Sequence, residues 1–337
     1  MNKNNIGIVV EFNPLHNGHI NLINNIRKDN PDSNIVAVMS GNFVQRGKLA
    51  IYDKWLRAKA AIENGVDLVI EIPPFFVLNH ANIFAKKSMK ILSEYNVSKI
   101  YFGSEKLDIK EINVIVDRVL ENESELEDLK KEFHSLPKAF QKFIGLELNP
   151  NDILGICYVL EARKLDLDIE FNRVKRFYNN EFSSASKIRL DLIKSIKNEK
   201  NLVKGGRLMN TDDYSDIIIG KLVTSESKNN VIKYLKEVAI KNKPISFCEL
   251  INLSNNSSFT KSRLKRELMK FILELEGSDE RIILAANKKG KKVLKDSKNY
   301  KFRHDKSNLD NYKVERFISI KSEETLKIHL SKNSILK

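Results

Sequence analysis

Gly7-Ile-Val-Val-Glu-Phe-Asn-Pro-Leu-His-Asn-Gly-His-Ile20 is the stretch on which the reading of this chain turns. Residues 6–10 form an apolar run of strand length, which reads as a buried β-strand. Asn13-Pro14 marks a turn, and Ile20, Leu22, Ile23 and Ile26 then fall at helical spacing. Between turn and helix stand His16 and His19, three residues apart, so their rings share one face of the first helical turn. The first N–H groups of a helix lack acceptors within it, which makes its start a good seat for phosphate oxygens. Gly18, having no Cβ, is expected to let a ligand approach the backbone. Strand, turn and His-x-Gly-His together predict a nucleotide site. The bland alternative is two surface histidines on a loop.

The alternation of strand and helix continues outward from there. Asn34-Ile-Val-Ala-Val-Met-Ser40 reads as a second buried strand, and Asp53 as the N-cap of a helix through residue 64. That helix is expected to turn Trp55, Ala58, Ala61 and Ile62 inward. Asp67-Leu-Val-Ile-Glu-Ile-Pro73 is a third strand, residues 81–95 a helix, and Lys99-Ile-Tyr-Phe-Gly-Ser-Glu105 a fourth strand. Repeating βα units build an α/β fold, a Rossmann-like doubly wound parallel sheet covered on both faces. Ligands on such sheets bind at the carboxyl ends of the strands, here residues 13–19, 40–47, the loop after Glu71, and 103–105. Further along, 109–148 and 153–162 read as helices, 169–177 as a strand, and Ser183-Ser-Ala-Ser-Lys-Ile-Arg189 as a helix start. From about residue 210 the pattern is helical. The expected organisation is a catalytic domain over 1–205 and a basic, mainly helical domain over 206–337.

Charge supports that division. The chain has 337 residues and a net charge of +14, yet residues 1–150 hold 19 basic and 19 acidic residues. Residues 151–337 hold the other 39 basic and 25 acidic ones, so the entire excess lies there. A basic half beside a neutral catalytic half points to a polyanion such as nucleic acid, with solubilising surface charge as the alternative. The polar start, Met1-Asn-Lys-Asn-Asn5, runs straight into a strand, and no apolar stretch approaches the ~20 residues needed to cross a bilayer. Cys157 and Cys248 have no CxxC spacing and are expected to be reduced core residues. A cytoplasmic chain that does not enter membranes is therefore expected. His80, His134, His304 and His329 show no metal-ligand spacing and read as structural; no protein metal site is expected.

Several motifs occur together and in order: Glu11-Phe-Asn-Pro-Leu-His-Asn-Gly-His19, Met39-Ser-Gly-Asn-Phe-Val-Gln-Arg-Gly47, Val66-Asp-Leu-Val-Ile-Glu-Ile-Pro73, Phe102-Gly-Ser-Glu105, Asn151-Asp-Ile-Leu-Gly155, Val174-Lys-Arg176 and Ser184-Ala-Ser-Lys-Ile-Arg189. The set resembles the bacterial tRNA(Met) cytidine acetate ligase family, one branch of the HIGH-type nucleotidyltransferases. The resemblance covers roughly residues 6–190, and it is looser at Thr260-Lys-Ser-Arg-Leu-Lys-Arg266 and Ile283-Leu-Ala-Ala-Asn-Lys-Lys-Gly290.

The resemblance implies ATP-dependent activation of acetate as acetyl-adenylate, followed by acetylation of N4 of the wobble cytidine of elongator tRNA(Met). It implies that Val9, Val10, Glu11, Phe12, Asn13, Pro14, Leu15, His16, Asn17, Gly18, His19, Ile20, Asn21 and Leu22 surround ATP, with Gly103, Asn151, Lys175 and Arg176 as further contacts. His16 and His19 are the expected catalytic pair, donating to phosphate oxygens even when neutral. Ser184, Ser186 and Arg189 are candidates for the β- and γ-phosphates, and an ordinary serine cap stays open as the alternative. Asp152 reads as helix-start charge rather than a ligand. Mg²⁺ is expected to come with ATP, held by phosphates and water. Gln45, Arg46, Asp53 and Lys54 lie where a small carboxylate would enter. Lys261, Arg263, Lys265 and Arg266 are the candidate tRNA contacts, with Lys288, Lys289, Lys291, Lys292, Lys295, Lys298 and Lys301 extending the basic surface. Two rivals stay open: a small-molecule nucleotidyltransferase of cofactor synthesis, and a noncatalytic RNA-binding protein. The acid accepted and the oligomeric state are not legible.

Overall fold

The computed structural model describes residues 5–133, 135–175, 185–194, 201, 203, 205–256, 258–277 and 282–297. Strand β1 (Asn5–Val10) leads into helix α1 (Asn17–Asp29), and β2 (Asn34–Ser40) follows. A short hairpin, β3 (Phe43–Val44) and β4 (Lys48–Leu49), separates β2 from α2 (Lys54–Glu63). Then come β5 (Leu68–Ile72), α3 (Pro74–Val77), α4 (Ala81–Glu94) and β6 (Val97–Ser104). Helices α5 (Ile109–Glu121), α6 (Glu123–Phe133), α7 (Leu136–Ile144) and α8 (Pro150–Lys164) precede β7 (Glu170–Lys175), and α9 (Ala185–Ile193) follows.

Six strands make one sheet in the order β7-β6-β1-β2-β5-β8, where β8 is Ile283–Ala286. All neighbours are parallel except β5 and β8. The chain winds outward from β1 through β2 to β5, then returns to the other side of β1 for β6 and β7. The crevice where winding reverses therefore opens between β1 and β6, at their carboxyl ends. Strand β2 shows why both faces are covered: Val36 and Val38 enter the core under α4, α5 and α8, while Ile35, Ala37 and Met39 enter the core under α1 and α2.

A third core belongs to α10 (Ser215–Thr224), α11 (Asn230–Asn242), α12 (Phe247–Ser254) and α13 (Lys261–Leu273). Leu222, Leu235, Phe247, Leu250, Leu264 and Leu268 fill it, and Phe43 and Leu49 of the hairpin plug into it. Gly47 (φ 74°) turns that hairpin, and a Cβ there would lie 2.7 Å from the Arg266 nitrogen. Only glycine allows the turn to rest on α13.

Residues 206–337 are not helical throughout. After the bundle the chain returns to the sheet as β8, which covers what would otherwise be the open edge of β5. Helix α14 (Lys288–Asp296) then crosses the amino ends of the strands. Asn287 at its start donates its backbone N–H to the Asp67 carbonyl (3.0 Å), beneath β5, and the Asp296 carbonyl at its end accepts from Asn96 (3.4 Å), beneath β6. Val293 and Leu294 are buried, and Lys288, Lys289, Lys291, Lys292 and Lys295 face outward. These lysines therefore stand at the opposite end of the sheet from the strand carboxyl ends, not in one surface with α13.

Trp55 is the other correction: it is 48% exposed. The stripe that α2 buries is Lys54, Arg57, Ala58 and Ala61, one residue round from the expected one, because both cations find internal partners. Cys157 is fully buried, with its thiol pushed up to about 12 by burial, but Cys248 is partly exposed and lies 3.6 Å from Lys48 Nζ. Among the described residues no helix is long and apolar enough to cross a membrane.

Candidate active site

The loop from β1 to α1 is organised by its two histidines. His16 caps α1 in an extended conformation, and its Nδ1 accepts the Gly18 N–H (3.0 Å). His19 Nδ1 in turn faces the His16 N–H at 3.3 Å, completing a capping box, and the rings meet at a 37° tilt with centroids 4.0 Å apart. Since both Nδ1 atoms accept, neutral imidazoles here carry their protons on Nε2, which is the donating edge of each ring. The helix-start N–H groups are spent internally, Gly18 on His16 Nδ1 and His19 on the His16 carbonyl (2.8 Å). Neither of those two amides is left over for a ligand. Gly18 has a reason within the loop as well: a Cβ there would sit 2.9 Å from His16 Cε1.

The rest of this segment supports the pair. Phe12 is fully buried with φ 45° and meets His19 edge-on at 5.1 Å. A left-handed residue costs roughly 1–2 kcal/mol, so packing fixes this one. Asn13 Oδ1 accepts the Ile51 N–H (2.8 Å), tying the loop to the segment before α2. Val10, Pro14 and Leu15 are buried, whereas Val9, Ile20, Asn21 and Leu22 are partly so and Asn17 is exposed. The buried members of this set hold the loop in shape, and the partly exposed ones and Asn17 line its outer side.

Beside it lies a knot of buried charge. Arg57 is fully buried and donates to the carbonyls of Tyr52 (2.9 Å), Glu11 (2.5 Å), Ser40 (3.2 Å) and Gly41, pinning the ends of β1 and β2 together. Burial pulls it down to about 10, against the pull of Glu11, Glu71 and Asp53, and it keeps its charge at neutral pH. Lys54 and Glu71 form a pair (2.9 Å), each 1% exposed. Removing one partner of such a pair costs about 3–5 kcal/mol. Asp53 caps α2 through Leu56 N–H (2.9 Å), so neither it nor Lys54 stands open to a small carboxylate. Glu11 accepts the Gln45 N–H (2.8 Å) on Oε1 and feels Arg46, Arg57 and Arg189. Sequence reading overlooked Arg57 and Glu71. A signal existed: cations at 54 and 57 share a helical stripe with Ala58 and Ala61.

Across the crevice, Asp152 is fully buried and its Oδ1 accepts from Ser104 Oγ (2.7 Å) and from the N–H groups of Glu105 (3.1 Å), Lys106 (3.2 Å) and Leu107 (3.4 Å). It shapes the loop after β6, which is more than the helix-start charge expected of it. Asn151 donates to the Glu105 carboxylate, and Gly103 lies within β6 opposite Val174, with Ser104 opposite Lys175. The structure thus sets Asn151, Gly103 and Lys175 at one rim. From α9, Arg189 donates to the Asn13 carbonyl (2.6 Å) and to Ser186 Oγ (3.0 Å), so this helix sits directly on the histidine loop. Arg176, Ser184, His134, His304, His329, Lys298 and Lys301 lie outside the described residues.

The four candidate tRNA contacts divide. Lys261 is exposed and bonds Asn252 (2.7 Å), and Arg263 lies 5.2 Å over the Phe259 ring. Lys265 is partly buried, its pKa lowered by burial and by Lys48 and Lys261, which crowd it. Arg266 is only 7% exposed and turns to His80 Nδ1 (3.3 Å), joining α13 to the start of α4. It serves the seam between bundle and sheet and is not available to a surface phosphate.

Comparisons with known proteins bear on the family and the fold. A family model described as HIGH Nucleotidyl Transferase matches residues 3–336. A tRNA(Met) cytidine acetate ligase from Fusobacterium nucleatum is 33% identical over 89% of this chain and 87% of its own length. Another from Caldanaerobacter subterraneus is 32% identical over 87% of this chain and 86% of its own. Among solved structures, Thermotoga maritima TmcAL bound with alpha-thio ATP superposes with a TM-score of 0.76 at 26% identity, covering 86% of this chain and 82% of that one. With its histidine pair set at the switch point of a parallel sheet, the chain belongs to the HIGH nucleotidyltransferases, in the tRNA(Met) cytidine acetate ligase family.

Proposed function

We propose that this chain activates acetate with ATP and transfers the acetyl group to N4 of the wobble cytidine of elongator tRNA(Met). One observation carries the first step: two adjacent imidazoles, tilted 37° to each other, whose orientation a capping box fixes at the carboxyl end of β1, with Arg189 of α9 bonded to the same loop. A carboxylate is nucleophilic enough to attack the α-phosphorus unaided. The chain has only to align it and to stabilise charge on the phosphoryl oxygens and the departing pyrophosphate. His16, His19 and Arg189 supply donors for that charge, and the rim of Gly103, Asn151 and Lys175 is suited to the nucleoside side. Mg²⁺ would enter bound to the triphosphate and neutralise part of its charge.

The second step needs the anticodon loop beside the same crevice. Its wobble base is single-stranded, so turning it out costs little. Lys48 on the hairpin and Lys261 and Lys265 on α13 gather at the sheet's carboxyl end, where a phosphate backbone would pass. ATP and tRNA both belong to the cytoplasm, the compartment proposed here. Residues 1–205 and 206–275 then act as catalytic and tRNA-holding parts, with 283–296 serving the sheet. The test is ATP–pyrophosphate exchange with and without acetate, then mass spectrometry of tRNA nucleosides. Acetate-dependent exchange and N4-acetylcytidine are expected. Exchange driven by a nucleotide or pantetheine substrate, or none with any acid, would overturn the reading.

A further inference from the structure

We propose that Glu11 accepts the proton that cytidine N4 sheds as it attacks the acetyl-adenylate. The inference rests on the function just proposed. In this step the N4 lone pair bonds to the acetyl carbonyl carbon. The bond from that carbon to the AMP phosphate oxygen breaks, and its electron pair leaves with AMP. Once it has attacked, the nitrogen is positively charged, and unless it loses a proton the adduct reverts. A proton acceptor within reach is therefore required.

The histidines do not fill that role. Each Nδ1 already accepts a backbone N–H and each Nε2 carries the ring proton, so both are donors. Other carboxylates at this end of the sheet are committed: Asp53 caps α2, Glu71 pairs with Lys54, Asp152 collects four donors from residues 104–107, and Glu105 holds Asn151. Glu11 differs from all of these. Its Oε1 is fixed by a single backbone donor, the Gln45 N–H, and the residue is partly exposed where Glu71 and Asp152 are sealed in the interior.

Its surroundings suit the task. Arg46 approaches from the hairpin, Arg57 from α2 and Arg189 from α9, with the buried Tyr158 hydroxyl on the α8 side. Burial raises the Glu11 pKa, and the Gln45 N–H and the three arginines oppose the rise. The net effect is a stronger base than an exposed carboxylate. After Glu11 takes the proton, the same guanidinium groups are left to balance the phosphate of departing AMP.

The test separates the two steps by supplying synthetic acetyl-adenylate with an unmodified elongator tRNA(Met) transcript. Glu11→Gln should lose at least about a hundredfold in acetyl transfer from acetyl-adenylate, and less than about tenfold in acetate-dependent ATP–pyrophosphate exchange. Wild-type transfer should rise with pH as Glu11 ionises, and the Gln variant should lose that rise. Glu11→Asp should recover part of the transfer. An equal fall in both reactions would make Glu11 a mere prop of the nucleotide site and overturn the proposal. So would undiminished transfer, or an Asp variant no better than Gln. If the wild-type enzyme transferred nothing from acetyl-adenylate, the proposed function itself would fail, not only the role of Glu11.

Discussion

The two ends of the central sheet both bury charge, and they treat it differently. At the amino end Asp67 is almost inaccessible, and every group around it is answered within the chain: Arg27 (2.6 Å), the Ile35 N–H (2.8 Å) and the Asn287 amide (2.8 Å) all donate to it. The carboxyl end gathers charge without closing on one partner. Arg46, Arg57 and Arg189 all act on Glu11, Arg57 is drawn to Glu71 and Asp53 as well, and two imidazoles stand beside them. A closed account of donors and acceptors marks a clasp, whereas cations and ring N–H groups gathered round a crevice are what an anion site needs. The two ends can be set against each other by mutation.

The largest effect is expected at the carboxyl end. His19→Ala removes an Nε2 donor and the partner that orients His16, and exchange should fall by about two to three orders of magnitude. Thermal stability should change little, since His19 is partly exposed. Full exchange in this variant would show that the donors gathered there serve something other than the triphosphate. The converse change is Asp67→Ala, which strands Arg27, the Ile35 N–H and Asn287 at once. It should cost about 3 kcal/mol of stability in denaturant unfolding, with KM for ATP unchanged in the folded fraction. A changed KM at constant stability would mean that the amino end is coupled to the site.

How far the sequence reached differs between the ends for the same reason. Strands β1, β2, β5 and β6 were legible because burial on both faces writes itself as unbroken apolar runs. The histidine loop was legible because residue type and spacing carry its chemistry. The rotation of α2 was not, because a buried Lys54 and Arg57 look like surface cations until Glu71 and the strand-end carbonyls are in place. Strand β8 was missed because Ile283-Leu-Ala-Ala286 is four residues long and follows about seventy helical ones. Likewise the lysines of α14 and α13 look continuous along the chain, and only the return of β8 carries α14 to the far end.

That separation yields a third test. Lys261→Glu with Arg263→Glu should raise KM for tRNA about tenfold, and log KM should become less dependent on log salt. Lys291→Glu with Lys292→Glu reverses the same charge at the amino end, a strand length of about 20 Å away, and should change KM by less than about twofold. Equal effects would mean that the tRNA wraps round the sheet to its amino end.

The smallest expected effect concerns the seam that holds the bundle against the sheet. His80, just before α4, faces Arg266 of α13, and its pKa is pulled down to about 4 by burial first and by Arg266 next. Its ordinary value is 6.5, so above that pH the folded and unfolded chains both keep it neutral and the stability is intact. Between about 6.5 and 4 the unfolded chain takes up a proton that the folded one refuses, and stability drains as the pH falls. Below about 4 both forms are protonated and this contribution stops changing. Calorimetric Tm should therefore decline through that window in the wild type. His80→Gln keeps an acceptor for Arg266 but cannot ionise, and its decline should be shallower. An identical slope in both proteins would mean that the seam tolerates an imidazolium beside Arg266. In that case the closed balance of charge ascribed to the amino end would not extend to the joint between sheet and bundle.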